Sequence, residues 1–222
     1  MSTDHSATPS PAISTAIRPS LFAFAIFYGG MVCIAGVLAN KQVALGPLAV
    51  EAGIFAFLML VVTSSAIAEL HGRETANKLV LIGFVPLVMS IVLSAFVWLM
   101  PAAPNMDPAS KDAIQLILGQ TWRIWIAGII AYGISQMLNV TIFSWLKGRE
   151  SGNLLWLRAG AASVLSQIVD TLLFISIAFY GIFPIANLLA GQMLAKVVLS
   201  AVMVPPLIYL FVAIGKRLDR TA

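Results

Sequence analysis

The chain has 222 residues, of which 60% are hydrophobic and 10% are charged, and its mean hydropathy is +0.96. Soluble globular proteins carry ~25% charged residues, so this composition excludes a water-soluble protein and indicates an integral membrane protein. The net charge of +4 lies in the segments between apolar stretches, and the expected partner is a lipid bilayer, not a nucleic acid. The single Cys33 excludes an intramolecular disulfide.

Six apolar stretches are long enough to cross a bilayer as helices, which takes ~20 residues. The sequence therefore predicts an all-α bundle of six transmembrane helices. The fourth stretch exceeds the required length, and its first part, QLILGQTWRIW, is expected at the membrane interface, where Trp122 and Trp125 suit an aromatic belt. The six stretches cover residues 20–39, 48–68, 79–100, 115–146, 157–181 and 184–213.

The composition along the chain predicts one membrane domain, residues 18–222, preceded by a tail. Residues 1–17 are rich in Ser, Thr and Pro, show no hydrophobic pattern and are expected to be disordered. The first apolar stretch lacks the basic start of a secretory signal and is interpreted as a retained span. Residues 100–112, MPAAPNMDPASKD, are predicted to form a turn-rich connection.

Basic residues in the loops predict the orientation of the chain, because cytoplasmic loops are enriched in Lys and Arg. Nine basic residues fall on one side of the predicted spans, and two, Lys41 and Lys111, fall on the other. Both termini are therefore predicted to be cytoplasmic. The nine residues are Arg18, Arg73, Lys78, Lys147, Arg149, Arg158, Lys216, Arg217 and Arg220.

Two opposite charges, Asp170 and Lys196, lie in the fifth and sixth spans. Counted from the outer helix ends at 1.5 Å per residue, both lie about 17 Å deep, near the midplane. Each alone costs at least ~2.5–3.5 kcal/mol at the bilayer centre, whereas at matched depth on neighbouring helices they can pair or hold a polar ligand. Glu51 and Arg123 are predicted near the outer rim, where interfacial anchoring is one interpretation of each.

Polar residues at helical spacing give several spans a face that cannot contact lipid. Such faces are expected to converge on a cavity lined by amides, an acid, a base and aromatic rings, which suits a small, polar, planar ligand. The alternative is that these side chains only hold helices together, each contributing ~0.6 kcal/mol. The residues are Ser163, Gln167, Asp170 and Phe174 in span 5, Tyr132, Gln136 and Asn139 in span 4, and Gln192, Lys196 and Ser200 in span 6.

Common catalytic and cofactor-binding motifs are absent from the sequence. The sequence has no GxSxG, HExxH or GxxxxGK[ST] pattern and no Cys/His metal spacing. Both histidines lie in polar segments outside the predicted spans. The chain is therefore not expected to be an enzyme or to hold a cofactor or a metal ion, and an ATP-driven pump would need its ATPase on another chain.

The most specific of four characteristic segments is RAGAASVLSQIVDTLLFISIAFYG, residues 158–181. It resembles the signature of a known family, the vitamin-uptake-type transporters that include the queuosine-precursor transporters. Residues 66–78, 122–147 and 191–210 are similar to the family's segments in the same order, so the resemblance covers nearly all of the chain after residue 20.

The resemblance implies a six-helix importer of deazaguanine bases, such as 7-cyano-7-deazaguanine, in the bacterial inner membrane. Glu69 and Asp170 would carry any proton coupling. The family places acids where Ser65 and Asn139 stand here, which leaves the substrate and the coupling open. The substrate-binding residues implied are Asp170 for the N–H edge of the base, Gln167, Gln136 and Asn139 for other edge groups, Phe174 or Tyr132 for stacking, and Lys196 and Arg123 for charge balance.

The energy source allows two interpretations. A stand-alone secondary carrier is preferred, and the alternative is the substrate-binding subunit of an ATPase-coupled vitamin uptake complex. Such subunits often show a small-residue face on the first helix, and Ala35 and Ala39 form an AxxxA here, but that spacing is common in membrane helices. A third interpretation, from another class, is a membrane scaffold that transports nothing.

Overall fold

The computed structural model describes residues 18–45, 48–119, 122–149, 154–181 and 185–221, so the tail predicted at residues 1–17 lies outside it. Within this part the chain forms seven helices and one β-hairpin. The helices are α1 (Pro19–Leu38), α2 (Gly53–His71), α3 (Arg73–Leu99), α4 (Pro108–Leu118), α5 (Trp122–Arg149), α6 (Leu155–Phe179) and α7 (Ala186–Arg220), and the strands are β1 (Gln42–Leu45) and β2 (Leu48–Glu51).

Six of these helices, α1, α2, α3, α5, α6 and α7, are long and apolar enough to cross a membrane. The prediction of a six-span helical membrane protein is therefore confirmed. The outward faces are apolar as a lipid-facing surface requires, and in α3 the exposed side chains include Leu81, Val85, Val92 and Phe96. Helix α2 lies at the centre, in contact with α1, α3, α5 and α7, while α6 packs between α5 and α7.

The second predicted span is wrong at its start, because residues 48–51 form β2 and the helix begins only at Gly53. The two strands pair antiparallel with Gln42 opposite Glu51. The backbone N–H of Ala52 also donates to the Lys41 carbonyl at 2.8 Å. A short apolar run does not by itself distinguish a buried strand from a helix, and Val50 of β2 is fully buried.

The fourth predicted span is also divided, since α4 ends at Leu118 and α5 begins at Trp122. Helix α4 starts in the segment predicted as a turn-rich connection. The Asp107 carboxylate caps it by accepting from the Ser110 backbone N–H at 2.9 Å, and this hydrogen bond lowers the pKa of Asp107. No residue of α4 is buried, so this helix lies on the surface of the bundle.

Both ends of the described chain meet at one end of the bundle, which we call the terminal end. There the Ser20 backbone N–H and hydroxyl donate to the Asp219 carboxylate at 3.0 and 2.9 Å, and the Ser20 hydroxyl lies 2.7 Å from His71 Nε2. These contacts join α1, α2 and α7. The β-hairpin marks the opposite end, which we call the hairpin end.

Close packing at Gly83 leads to a testable prediction. A Cβ at this position of α3 would collide with the Tyr28 ring and the Tyr132 hydroxyl. Gly83→Ala should therefore destabilise the bundle by about 1–3 kcal/mol through overpacking. The control is Gly30→Ala in α1, where nothing lies within 4 Å of the added Cβ. Thermal unfolding in detergent compares them, and equal melting temperatures would contradict the prediction.

Candidate functional site

A cavity of about 160 Å³, which we call the central cavity, lies inside the bundle in its hairpin half. All six spanning helices contribute to its wall, and β2 contributes one acid. Most of the wall is apolar. The lining residues are Val32, Ala35, Gly36, Ala39, Glu51, Gly53, Ile54, Phe57, Leu60, Leu87, Gly128, Ala131, Tyr132, Asp170, Phe174 and Lys196.

The ion pair that the helix depths predicted is present in this wall. Lys196 Nζ of α7 donates to Asp170 Oδ2 of α6 at 3.2 Å, and the Ser135 hydroxyl of α5 donates to Asp170 Oδ1 at 3.2 Å. Asp170 is 6% exposed and Lys196 is 9% exposed. Three helices therefore hold an almost fully buried pair of opposite charges in the cavity wall.

Glu51 is a cavity residue that the sequence did not predict. It lies at the hairpin end and lines the central cavity together with Asp170 and Lys196. Burial raises the pKa of Glu51, the Lys196 charge opposes this rise, and the Asp170 charge adds to it. An acid inside an otherwise apolar run, two residues before Gly53, was the available signal.

The three amides expected at the site, Gln136, Asn139 and Gln167, are fully buried but do not line the central cavity. Asn139 Nδ2 donates to the hydroxyls of Ser64 and Ser65, each at 3.1 Å. Within the described part of the chain, Asn139 Oδ1, Gln136 Nε2 and both polar atoms of Gln167 lack a partner. Their assignment to a substrate stays a prediction.

Tyr132 connects the cavity to these buried amides. Its hydroxyl donates to the Tyr28 hydroxyl at 3.0 Å, and Tyr28 in turn lies 3.5 Å from Gln136 Oε1. Ser64 also donates to Gln136 Oε1, at 3.4 Å. A line of polar groups thus runs from the cavity wall into the core, towards the terminal end.

Aromatic side chains form part of the cavity wall. The half-buried Phe174 lines it as predicted, contacting Phe179 edge to face at 6.2 Å between centroids. It also borders an adjoining apolar cavity of about 200 Å³ that Trp125 helps to line. Phe57 is a second aromatic residue in the wall, and no pattern in the sequence predicts it there. The Tyr132 ring packs edge to face on Phe84 at 5.1 Å.

Glu69 is not part of the central cavity. It lies at the terminal end, where its carboxylate contacts Lys147 Nζ at 3.0 Å and Arg158 Nη2 at 3.7 Å. Arg158 also sits over the Phe143 ring at 5.6 Å. The coupling role expected of Glu69 remains a prediction, and the side chain of Arg123, another expected site residue, lies outside the described part of the structure.

The small-residue face of α1 is used inside the chain. A Cβ added to Gly53 of α2 would lie 2.9 Å from the Ala35 carbonyl and 3.1 Å from the Ala39 Cβ, so the two helices touch there with no room for a side chain. Ala35 and Ala39 also line the central cavity. This face of α1 is therefore covered by α2.

Six membrane spans around a partly polar cavity with a buried ion pair define the class: a multi-pass membrane protein with an internal small-molecule site. The chain belongs to the family described as "Putative vitamin uptake transporter", whose match covers residues 51–211. The expected family is thereby confirmed, and the chain is a transporter homologue.

Two curated proteins are similar in sequence to this chain. A "Probable queuosine precursor transporter" of Bacillus subtilis is 29% identical over 161 residues, covering 72% of this chain and 69% of the relative. A protein of the same description from Haemophilus influenzae is 26% identical over 129 residues, covering 58% of this chain and 51% of the relative. No solved structure matches the chain.

Proposed function

We propose that this protein imports a queuosine precursor, 7-cyano-7-deazaguanine or a related deazapurine base, across the bacterial inner membrane. The description of both curated relatives supports this substrate class. The observation that carries the proposal is the Asp170–Lys196 pair, a buried donor and acceptor set on the wall of a small cavity inside a six-span bundle. Charged groups at such depth are costly and mark substrate paths.

The chemistry of the pair suits the edge of a guanine-like base. A carboxylate has about four acceptor positions, and Asp170 uses only two of them, one for Lys196 and one for Ser135. The others can accept the ring N–H and the exocyclic amine of the base. Lys196 has three N–H donors and can share one with the ring carbonyl. Phe174 supplies a face on which the ring can stack.

The orientation of the bundle sets the direction of transport. The nine-to-two distribution of basic residues supports a cytoplasmic terminal end. The central cavity then lies in the outer half of the protein, where a ligand arriving from outside would be captured. The unpartnered amide atoms of Gln136, Asn139 and Gln167 lie towards the cytoplasm. These atoms would form hydrogen bonds with the base as it passes towards the cytoplasm, because buried polar atoms normally have hydrogen-bond partners.

A stand-alone secondary carrier fits the packing better than an ATPase-coupled subunit. The small-residue face that could dock an ATPase complex is occupied by α2 at Gly53. Ser65 and Asn139 are neutral, so Asp170 and Glu69 remain to couple transport to protons. Purification in mild detergent tests this point, since an ATPase that co-purifies in constant ratio would favour the coupled alternative.

Thermal unfolding with a ligand panel tests the substrate. The panel contains 7-cyano-7-deazaguanine, its aminomethyl analogue, guanine and several vitamins. A ligand at 100 times its Kd adds about 2.7 kcal/mol of stability, so a deazaguanine should raise the melting temperature measurably. Asp170→Asn should abolish most of this rise, because the amide presents one acceptor oxygen in place of two.

The control for this experiment is Asp112→Asn on α4, an equal charge change at an exposed position far from the cavity wall. Its ligand-induced rise should match that of the unmodified protein. If only a vitamin stabilises the protein, the proposed substrate class is wrong and the vitamin takes its place. A full deazaguanine response in Asp170→Asn would remove Asp170 from the binding site, and the absence of any response would favour a scaffold.

A further inference from the structure

The carboxylates of the central cavity differ in their partners. Both oxygens of Asp170 are engaged, one by Lys196 and the other by Ser135. The Glu51 carboxylate lines the same cavity. Among the residues that the structure describes, it has no hydrogen-bond partner and no cationic side chain within 4 Å. All acceptor positions of Glu51 are therefore available to a ligand, whereas Asp170 already uses two of its roughly four.

The charges of the cavity wall do not balance. Asp170 and Lys196 neutralise each other, and Glu51 adds one negative charge when it is ionised. An uncompensated charge in a partly dry site is costly, so burial raises the pKa of Glu51 in the empty protein. A ligand that brings one positive charge would restore neutrality, which a neutral ligand cannot do.

The two acids also lie at different depths. Asp170 is nine residues from the hairpin-side end of α6 at Phe179, which is about 14 Å along the helix axis. Glu51 is the last residue of β2, two positions before α2 begins. A planar base bound with its N–H edge at Asp170 would thus direct an opposite substituent towards the hairpin end, where Glu51 stands.

We propose that Glu51 selects the substituent of the transported base, favouring a deazapurine that carries a protonated amine over one with a neutral group. This inference rests on the proposed function and adds a specificity residue to it. In the complex the ammonium group donates a hydrogen bond to the Glu51 carboxylate, while Asp170 accepts hydrogen bonds from the N–H edge of the ring. The aminomethyl deazaguanine meets this requirement, and the nitrile does not.

Binding of the amine should then depend on pH. The bound form needs an ionised Glu51, so a Glu51 that is protonated beforehand must release its proton to water. Affinity for the amine therefore rises with pH from the usual carboxyl range up to the raised pKa of Glu51 and levels off above it. The titratable groups that face Glu51 are Asp170 on α6, Lys196 on α7 and Tyr132 on α5. The lining residues of α1, α2 and α3 carry no titratable side chain.

The test compares the Kd of the aminomethyl and cyano deazaguanines by calorimetry. At about pH 8 the unmodified protein should prefer the amine by about tenfold or more, a difference of ~1.4 kcal/mol. Glu51→Gln should reduce this ratio to about threefold or less, because the amide carries no charge. Glu74→Gln, the same change at an exposed site in the first turn of α3, should keep the ratio.

A second measurement needs no substitution, and it serves if Glu51→Gln fails to fold. At a pH below the raised pKa of Glu51, proton release makes the binding enthalpy of the amine depend on the ionisation enthalpy of the buffer, while the binding enthalpy of the nitrile does not depend on it. Equal affinities, a ratio kept in Glu51→Gln, or equal buffer dependence for both ligands would overturn the role of Glu51 and leave the proposed function standing. If neither deazaguanine binds, both proposals fail.

Discussion

Lys196→Met should lower the free energy of unfolding by about 3–5 kcal/mol, the range measured when one partner of a buried ion pair is removed. The substitution leaves the Asp170 side chain at 6% exposure, with only the Ser135 hydroxyl as a partner. Methionine fills most of the space of the lysine stem, so the loss reflects the charge and not a cavity. Asp170→Asn introduced in the same chain should recover part of the stability, because no unpaired charge then remains.

Reversible unfolding of the four proteins in detergent measures this coupling. Residues in direct contact show interaction energies of about 0.5–3 kcal/mol in such a cycle, and the 3.2 Å pair should lie towards the upper end. Lys111→Met on α4 is the matched control, because Lys111 is exposed and its loss should leave the stability nearly unchanged. Additive effects of the two site substitutions would show that the pair contributes no direct coupling.

The spans and the ion pair could be predicted because both depend on local properties of the chain. A run of ~20 apolar residues has few alternatives to a membrane helix. Each of the six predicted spans overlaps an observed spanning helix, and the first and fifth agree with α1 and α6 to within two residues at both ends. The depth of Asp170 and Lys196 follows from counting residues along α6 and α7. Neighbouring antiparallel helices then bring the two charges together.

The hairpin and the position of Glu51 could not be predicted in this way. The segment that forms β2 is apolar and runs directly into α2, so its hydropathy matches that of a helix. What makes it a strand is its pairing with β1 and its packing on α7, which are contacts between separate segments. The sequence predicts Glu51 near the outer rim, and its place in the cavity wall depends on these contacts between separate segments.

The positions of the buried amides could be predicted from the sequence only in part. Helical spacing places Gln136 and Asn139 on the inward face of α5, and both are fully buried. The spacing does not say whether an inward side chain meets the cavity or another helix. Here Asn139 contacts the serines of α2 and Gln136 contacts Ser64 and Tyr28, so packing between helices decided their position.

Arg158→Met should destabilise the terminal end more than Lys147→Met, although both cations contact the same carboxylate of Glu69. The Arg158 side chain is 8% exposed and that of Lys147 is 39% exposed. Loss of the buried cation should cost about 3 kcal/mol, since the pair and the contact with the Phe143 ring are both lost. Loss of Lys147 should cost at most ~1 kcal/mol, as for other solvent-exposed ion pairs.

Thermal unfolding at low and high salt separates these contributions. The effect of Lys147→Met should fall further as salt rises, because exposed pairs are screened and buried ones are screened much less. Arg158→Met should keep its effect at both salt concentrations. If Lys147→Met proves the more damaging change, then its shorter 3.0 Å contact and its 2.8 Å bond to the Glu69 carbonyl dominate over burial. In that case α5, and not α6, holds the terminal end of α2 in place.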